Sequence, residues 1–498
     1  MKGFGDKNQS KKKNIRYENE KFNTDQLIKK AFQLQAEGKK LEAAKYYLHL
    51  IKNGLKNYIV FSNYGTFLKE IGKHKEAEIE LNKAITLNPK YANAYYNLGG
   101  LFLEKGNLFK AEIYLRKAIE LKSDFASANY NLGFILKNLG KLQEAKLHFQ
   151  KALEIDPQLT DAYLSLSTMQ QTEKDQNWIS QLFSKSFLTN KNNMELVNIF
   201  FGRANILHKR RKYKESAENL IRANNLKLSM FKSEAELLIQ KTNKLKISLN
   251  NFHRNFQDYS DDPISIFIVG MPRCGSTLVE SIISLNSRVN DLGEVNIFEE
   301  SYREYKQNKQ FNSEATLAEI YKRYSQNNIA DLTITTNKWL FNYQYAGIIA
   351  RTIPNAKIIH CYRNPLDNIL SIYRAHFSTG NIFSSSLVDC AQVYIDQEEI
   401  MDIYKKEFRR YIYDLNYDEL VTNPLKEIKS LISWLQWEWN DNYLYPNLNQ
   451  RTVFTRSNVE IRSPINSKSV GGWKHYKYML KPAIEILNKK DRYKKFIS

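Results

Sequence analysis

The run Ile264-Ser265-Ile266-Phe267-Ile268-Val269-Gly270-Met271-Pro272-Arg273-Cys274-Gly275-Ser276-Thr277 decides the fold of the C-terminal half. Its first six residues are mostly apolar and rich in β-branched side chains, as in a buried strand. Gly270 and Gly275 bound a short loop, and an amphipathic helix is expected over 277–285. Strand, glycine-bounded loop and helix form a cradle whose backbone N–H groups face an anion. The spacing follows G-x-x-x-x-G-[K]-[ST], except that Ser276 stands where a nucleotide triphosphatase places Lys. That Lys reaches the β- and γ-phosphates, so its absence argues against an ATPase or kinase. The cation sits inside the loop instead, as Arg273. A purely structural glycine turn is the bland alternative.

A second strand-to-helix junction lies downstream. Lys357-Ile358-Ile359-His360-Cys361-Tyr362-Arg363 reads as an apolar strand, and Asn364-Pro365 then offers an N-cap and a first-turn proline. Arg363 falls at the C-terminal edge of that strand, where open parallel sheets place ligands. Ser371 lies eight residues on, about two helical turns. His360, inside the strand, reads as a core or supporting residue rather than a base.

Upstream of residue 262 the pattern changes. Gly38, Gly72, Gly106 and Gly140 are each 34 residues apart; so are Gly65, Gly99 and Gly133, and Ala43, Ala77, Ala111 and Ala145. Several columns sharing one period resemble the tetratricopeptide (TPR) family over residues 24–159. Each unit is a helix pair that cannot bury its apolar face alone, so pairs stack into a solenoid. After Leu159 the columns decay, and Ser167 takes a glycine position. Residues 160–256 therefore read as degenerate repeats and connecting helices, and 257–498 as a separate α/β domain. The groove of such an array suits a peptide, a protein partner or acceptor; a rigid spacer or a dimerisation arm is the competing reading, which leaves a homodimer open.

Composition sets the outer bounds. The chain has 498 residues, 42% hydrophobic, with a formal net charge of +21, favouring acidic partners such as nucleotides. The aromatic residues of the repeats sit at helical spacing and read as core, so no specific nucleic-acid partner is expected. The three cysteines, Cys274, Cys361 and Cys390, are no disulfide framework. Residues 1–23 form a polar, Lys-rich stretch that reads as a disordered basic tail without a signal-peptide core. No apolar run is long enough to span a membrane, and a cytoplasmic protein is expected. None of the eight His shows metal-ligand spacing, so no metal is expected.

Taken together, the two junctions resemble sulfotransferases that use 3′-phosphoadenosine 5′-phosphosulfate (PAPS), over roughly residues 264–480. The closest likeness is to the protein-tyrosine sulfotransferase branch and to proteins that fuse TPRs to that domain. The resemblance implies a multidomain chain: an all-α TPR solenoid, then an α/β P-loop-like domain with a parallel sheet. It makes the loop, Arg273, Cys274, Gly275, Ser276 and Thr277, the 5′-phosphosulfate site, and Arg363 with Ser371 the 3′-phosphate site. Glu294, 21 residues after Arg273, matches the general base, and Lys338 the residue contacting the transferring group. Ser457 matches a late cofactor-binding Ser, and Ser469–Lys474, with Trp473 and Lys474, the segment closing over the nucleotide. Gly472 departs from the pattern, since relatives often carry Arg or Lys there. The implied reaction is sulfuryl transfer to a protein tyrosine; a glycan or small-molecule hydroxyl, a P-loop kinase or NTPase, and a TPR scaffold without chemistry are the alternatives. Surface exposure of Glu294 or Lys338, or a structural ion pair at Arg363, would leave those residues without these roles.

Overall fold

The computed structural model describes residues 24–252, 264–310, 315–326, 334–377, 381–449, 451 and 459–496. The expected tail, the 256/257 edge and Ser457 lie outside the described residues. By their contacts the residues fall into two compact units, Met1–Ala128 and Asn129–Ser498. The changes of sequence pattern at 159 and 256 both fall inside the second unit.

The first unit consists of helix hairpins: α1 (Thr24–Ala36) with α2 (Lys40–Lys52), α3 (Tyr58–Glu70) with α4 (His74–Leu87), and α5 (Ala92–Glu104) with α6 (Leu108–Leu121). The repeat columns have direct physical causes. A Cβ on Gly99 would lie 2.6 Å from Leu115 Cγ, so glycine is what lets α5 and α6 approach. Gly72 turns the chain out of α3 at φ +76°, and Lys73 N–H donates to the Leu68 carbonyl at 2.9 Å, closing the helix end. Ala77, Ala84, Ala111 and Ala118 are fully buried between helices.

The unit boundary falls inside α7 (Ala126–Asn138), which is followed in the second unit by α8 (Leu142–Ile155), α9 (Thr160–Thr168), α10 (Gln176–Phe183), α11 (Asn193–Lys209), α12 (Tyr213–Met230) and α13 (Ala235–Ser248). Asn192 and Glu195 make a reciprocal cap at the start of α11. The α/β part follows. Five strands, β1 (Ile264–Gly270), β2 (Val289–Asp291), β3 (Ile334–Asn337), β4 (Ala356–Tyr362) and β5 (Ile412–Asn416), form a parallel sheet in the order β2-β3-β1-β4-β5. The order reverses between β1 and β4, the place where open parallel sheets bind ligands. After β1 comes α14 (Ser276–Ile283); α15 (Ile297–Gln310) and α16 (Leu317–Gln326) separate β2 from β3; α17 (Ala346–Thr352) precedes β4. Between β4 and β5 run α18 (Pro365–Tyr373) and α19 (Leu387–Phe408), and α20 (Tyr417–Thr422) and α21 (Pro424–Trp434) follow β5.

The core of this unit is shared. Val197, Phe201, Leu220 and Ala223 of α11 and α12 pack in one cluster with Leu366, Ile369 and Leu370 of α18. Leu245 of α13, with Leu249 and Phe252, joins the cluster around Phe267, Tyr343 and Tyr404. Helices that precede the sheet are thus part of the hydrophobic core that supports it.

Candidate active site

The loop after β1 is built around two glycines. A Cβ on Gly270 would strike the Cys361 carbonyl at 2.3 Å, so glycine lets β1 and β4 meet at the start of the loop. Gly275, at φ +96°, leaves room for the Tyr417 ring, which a Cβ would meet at 2.2 Å. Arg273 itself has φ +66°, a left-handed backbone uncommon for a residue with a side chain. This geometry turns the Arg273 side chain out of the loop, while the Cys274 thiol is buried in the core with Ile268 and Cys361. Pro272, Arg273, Gly275, Ser276 and Thr277 line a cleft of about 710 Å³.

The cleft gathers most of the expected residues. Glu294, Lys338 and Ser371 line it with the loop. Arg273 Nε donates to Ser371 Oγ at 3.1 Å, joining the two expected phosphate sites, and Arg273 Nη2 donates to both Glu460 oxygens at 2.6 and 2.8 Å. Arg363 lies beneath, with its guanidinium 4.6 Å from the Tyr417 ring centroid and Nη2 donating to the Ser469 carbonyl at 3.0 Å. Asn364 caps α18 by accepting from Leu366 and Asp367 N–H, and Pro365 occupies its first turn. Asp367 accepts from the N–H groups of Gly471 and Trp473 at 2.7 and 2.8 Å, which ties the 469–474 segment to α18.

Glu294 and Lys338 come from two loops locked by backbone pairing. Leu292 N–H donates to the Thr336 carbonyl at 2.9 Å, and Lys338 N–H donates to the Gly293 carbonyl at 3.1 Å. The side chains then meet at 2.5 Å. Lys338 is fully buried and has a second carboxylate, Glu280 of α14, at 3.4 Å. Burial alone would weaken its hold on the proton; Glu280 and Glu294 outweigh that and hold the ammonium above its usual range. Glu280 in turn accepts from Arg451 at 2.7 Å.

Four expected residues stand apart from the cleft lining, the first of them Arg363, buried beneath it. Trp473 is buried in the core beside α18 and meets the site through its N–H; Lys474 is exposed; the Cys274 side chain faces the core. His360 is also remote from the cleft lining: its ring sits between Asp414, 3.0 Å from Nδ1, and Glu398, 3.3 Å from Nε2. Burial opposes its charge, but Glu398 and Asp414 raise it to about 9, so it is an internal cation.

Sequence reasoning missed Glu280, Asp367, Tyr417 and Glu460. Glu280 has a legible signal, a lone charge in an otherwise uncharged helix that begins at the loop. Asp367, four residues after Arg363, had a weaker one, and Tyr417 and Glu460 come from distant segments with none.

The geometry is a cleft at the switch point of a parallel sheet, lined by a glycine-bounded loop and a paired carboxylate and ammonium. Residues 263–441 match the model of a sulfotransferase family, and residues 67–106, 92–125 and 126–159 match tetratricopeptide repeat models; the chain therefore carries a sulfotransferase-family domain and TPR repeats. An uncharacterized protein of Aquifex aeolicus (strain VF5) is 30% identical over 305 residues, covering 57% of this chain. The match spans 40% of that relative's length. Among solved structures, the chain is similar to Pseudomonas aeruginosa PilF (16% identity, TM-score 0.34, covering 41% of this chain and 91% of that one). It is also similar to YrrB, a TPR protein with an unusual peptide-binding site (20% identity, TM-score 0.27, covering 38% and 92%). Among the described residues, no helix is long and apolar enough to cross a membrane.

Proposed function

We propose that this chain transfers a sulfuryl group from PAPS to an acceptor hydroxyl, with protein tyrosine as the acceptor, in a cytoplasmic setting. The observation that carries the reading is the convergence of loop 272–277, Ser371 and the Glu294–Lys338 pair on one cleft. The residues fit an anionic nucleotide: Arg363 Nε is buried without a hydrogen-bond partner, although the Asp418 carboxylate lies at ion-pair distance, 3.8 Å, and glycine keeps the loop open to close backbone approach. When bound, PAPS supplies the activated sulfuryl group. Arg363 and Ser371 hold the non-reacting phosphate; the N–H groups at the start of α14, with Arg273, grip the reacting end. Glu294 accepts the proton of the attacking hydroxyl, and Lys338 offsets negative charge on the leaving side. Ser457 is assigned to nucleotide binding, and Trp473 and Lys474 to the segment that closes over the nucleotide. Trp339, Phe341 and Phe377 also line the cleft, and this aromatic wall favours a phenol over an aliphatic hydroxyl. The TPR repeats serve to recruit a protein acceptor or partner.

Thermal shift tests the nucleotide assignment. PAPS and its product 3′-phosphoadenosine 5′-phosphate (PAP) should stabilise the chain by about 2.7 kcal/mol at a hundredfold excess over Kd. ATP should do far less, because Ser276 replaces the γ-phosphate Lys. Equal stabilisation by ATP would refute the assignment. Labelled PAPS incubated with cell extract then reads the acceptor: label in protein supports tyrosine, whereas label in polysaccharide or small metabolites overturns it.

A further inference from the structure

The residues after α18 line the cleft, and side chains from the preceding helices surround them. Asn224 of α12 donates through Nδ2 to the Tyr373 carbonyl at 3.0 Å. One turn on, Lys227 donates through Nζ to the Phe377 carbonyl at 2.7 Å. Both side chains are almost completely buried. These two bonds bracket Arg374, Ala375 and His376, all of which line the cleft. The neighbours of this turn are held from the same side. Phe201 of α11 meets the His376 ring edge-on at 5.0 Å. Tyr476, whose ring lies 6.0 Å from the Arg374 guanidinium, has its hydroxyl between His208 Nδ1 at 2.8 Å and Ser216 Oγ at 3.0 Å.

Arg374 is the group that this scaffold presents. Its guanidinium makes no hydrogen bond or ion pair among the described residues. Burial pushes its proton affinity down; Glu460, whose carboxylate is taken up by Arg273, opposes that, and Arg273, a like charge, adds to it. A partly buried cation with no hydrogen-bonded counter-ion of its own is costly and favours an approaching anion. Lys227 is unusual in the opposite way. It is a buried ammonium that donates to a backbone carbonyl, and a Met there would keep the bulk and lose the donor. Its donor group, and not its bulk, is what the position requires.

We infer that Asn224 and Lys227 are positioning residues: they fix the 373–377 turn so that Arg374 presents its guanidinium to an anionic oxygen of the ligand in the cleft. The helix pair before the sheet thus sets ligand affinity directly, beyond any recruiting role of the repeats. The inference rests on the nucleotide reading above, and PAP is the probe.

The test is a double-mutant cycle on PAP affinity, measured calorimetrically on the full chain. Lys227→Met should weaken PAP binding about tenfold in the wild-type background and less than about twofold in an Arg374→Gln background, because coupled residues are not additive. Lys227→Arg, which keeps a donor, should recover most of the loss. Asn224→Ala, a milder change, should give the same pattern and carries the test if Lys227→Met does not fold. Equal losses in both backgrounds, or no loss in a folded variant, overturn the inference while leaving the nucleotide assignment intact. Failure of the wild-type chain to bind PAP at all removes the nucleotide assignment itself, and this inference with it.

Discussion

Glu294 and Glu280 flank the same ammonium, yet their surroundings predict opposite consequences of removing each charge. Glu294 is 39% exposed at its side chain and 2.5 Å from Lys338. Glu294→Gln keeps the shape and leaves Lys338 with Glu280 still at 3.4 Å. The lost pair is partly screened by water, so the cost in stability is about 1 kcal/mol or less. Turnover should fall roughly 10²–10⁴-fold, because a phenol with reference pKa near 10 must lose its proton as it attacks. Glu280 is fully buried and also holds Arg451 at 2.7 Å. Glu280→Gln strips two cations of a buried counter-charge, and breaking such a pair costs about 3–5 kcal/mol. Urea unfolding at neutral pH measures the stability, and single-turnover kinetics with saturating PAPS measures the rate. The Glu294 variant should also regain part of its rate with an acidified phenol such as a nitrophenol, and the wild type should gain less. A Glu294 variant with wild-type turnover, or one destabilised as strongly as the Glu280 variant, would refute the assignment of Glu294 as the base.

Arg363→Ala removes a charged donor, worth about 1.5–3 kcal/mol, and should weaken PAP binding roughly 10- to 100-fold in calorimetry with a smaller effect on the saturated rate. Because His360 is raised to about 9 from an ordinary 6.5, its stabilising charge is fully present below pH 6.5 and lost as pH rises toward 9. Unfolding free energy should therefore fall across that window by at most roughly 3 kcal/mol, seen as a falling Tm, and His360→Gln should flatten the slope. A chain beginning at residue 129 should fold and bind PAP, since Asn129–Ser498 is one compact unit. One beginning at 257 should not, because it loses Val197, Phe201, Leu220, Leu245 and Leu249, each worth about 1.5–3 kcal/mol, against a total stability of about 5–15. Circular dichroism of the two truncations decides this.

The sequence made the repeats and the two strand-to-helix junctions legible because each is a local pattern with one physical cause. A glycine at position 99 is demanded by the Leu115 side chain opposite, and the demand recurs at Gly65 against Leu81 and at Gly133 against Phe149. The Gly275 requirement is different. It exists only because Tyr417 packs across from another segment, so the glycine was readable while its reason was not. Arg273 shows the limit most clearly. Its place in the loop was evident, but its contacts with Ser371 and Glu460 depend on chain returns of 98 and 187 residues. The hydrophobic sharing between α11–α13 and the sheet was hidden for a similar reason. Decay of the 34-residue pattern marks helices that answer to a new neighbour instead of to the next repeat.

The pairing of Leu292 with Thr336 and of Lys338 with Gly293 acts as a ruler at the end of the sheet. Backbone hydrogen bonds, and not the reach of flexible side chains, set where the carboxylate of Glu294 stands relative to the ammonium. A ruler of this kind has only discrete settings. Sliding one loop by a single residue would turn every following side chain to the opposite face. Insertions or deletions between β2 and Glu294, or between β3 and Lys338, should therefore separate the pair even where every side chain is kept.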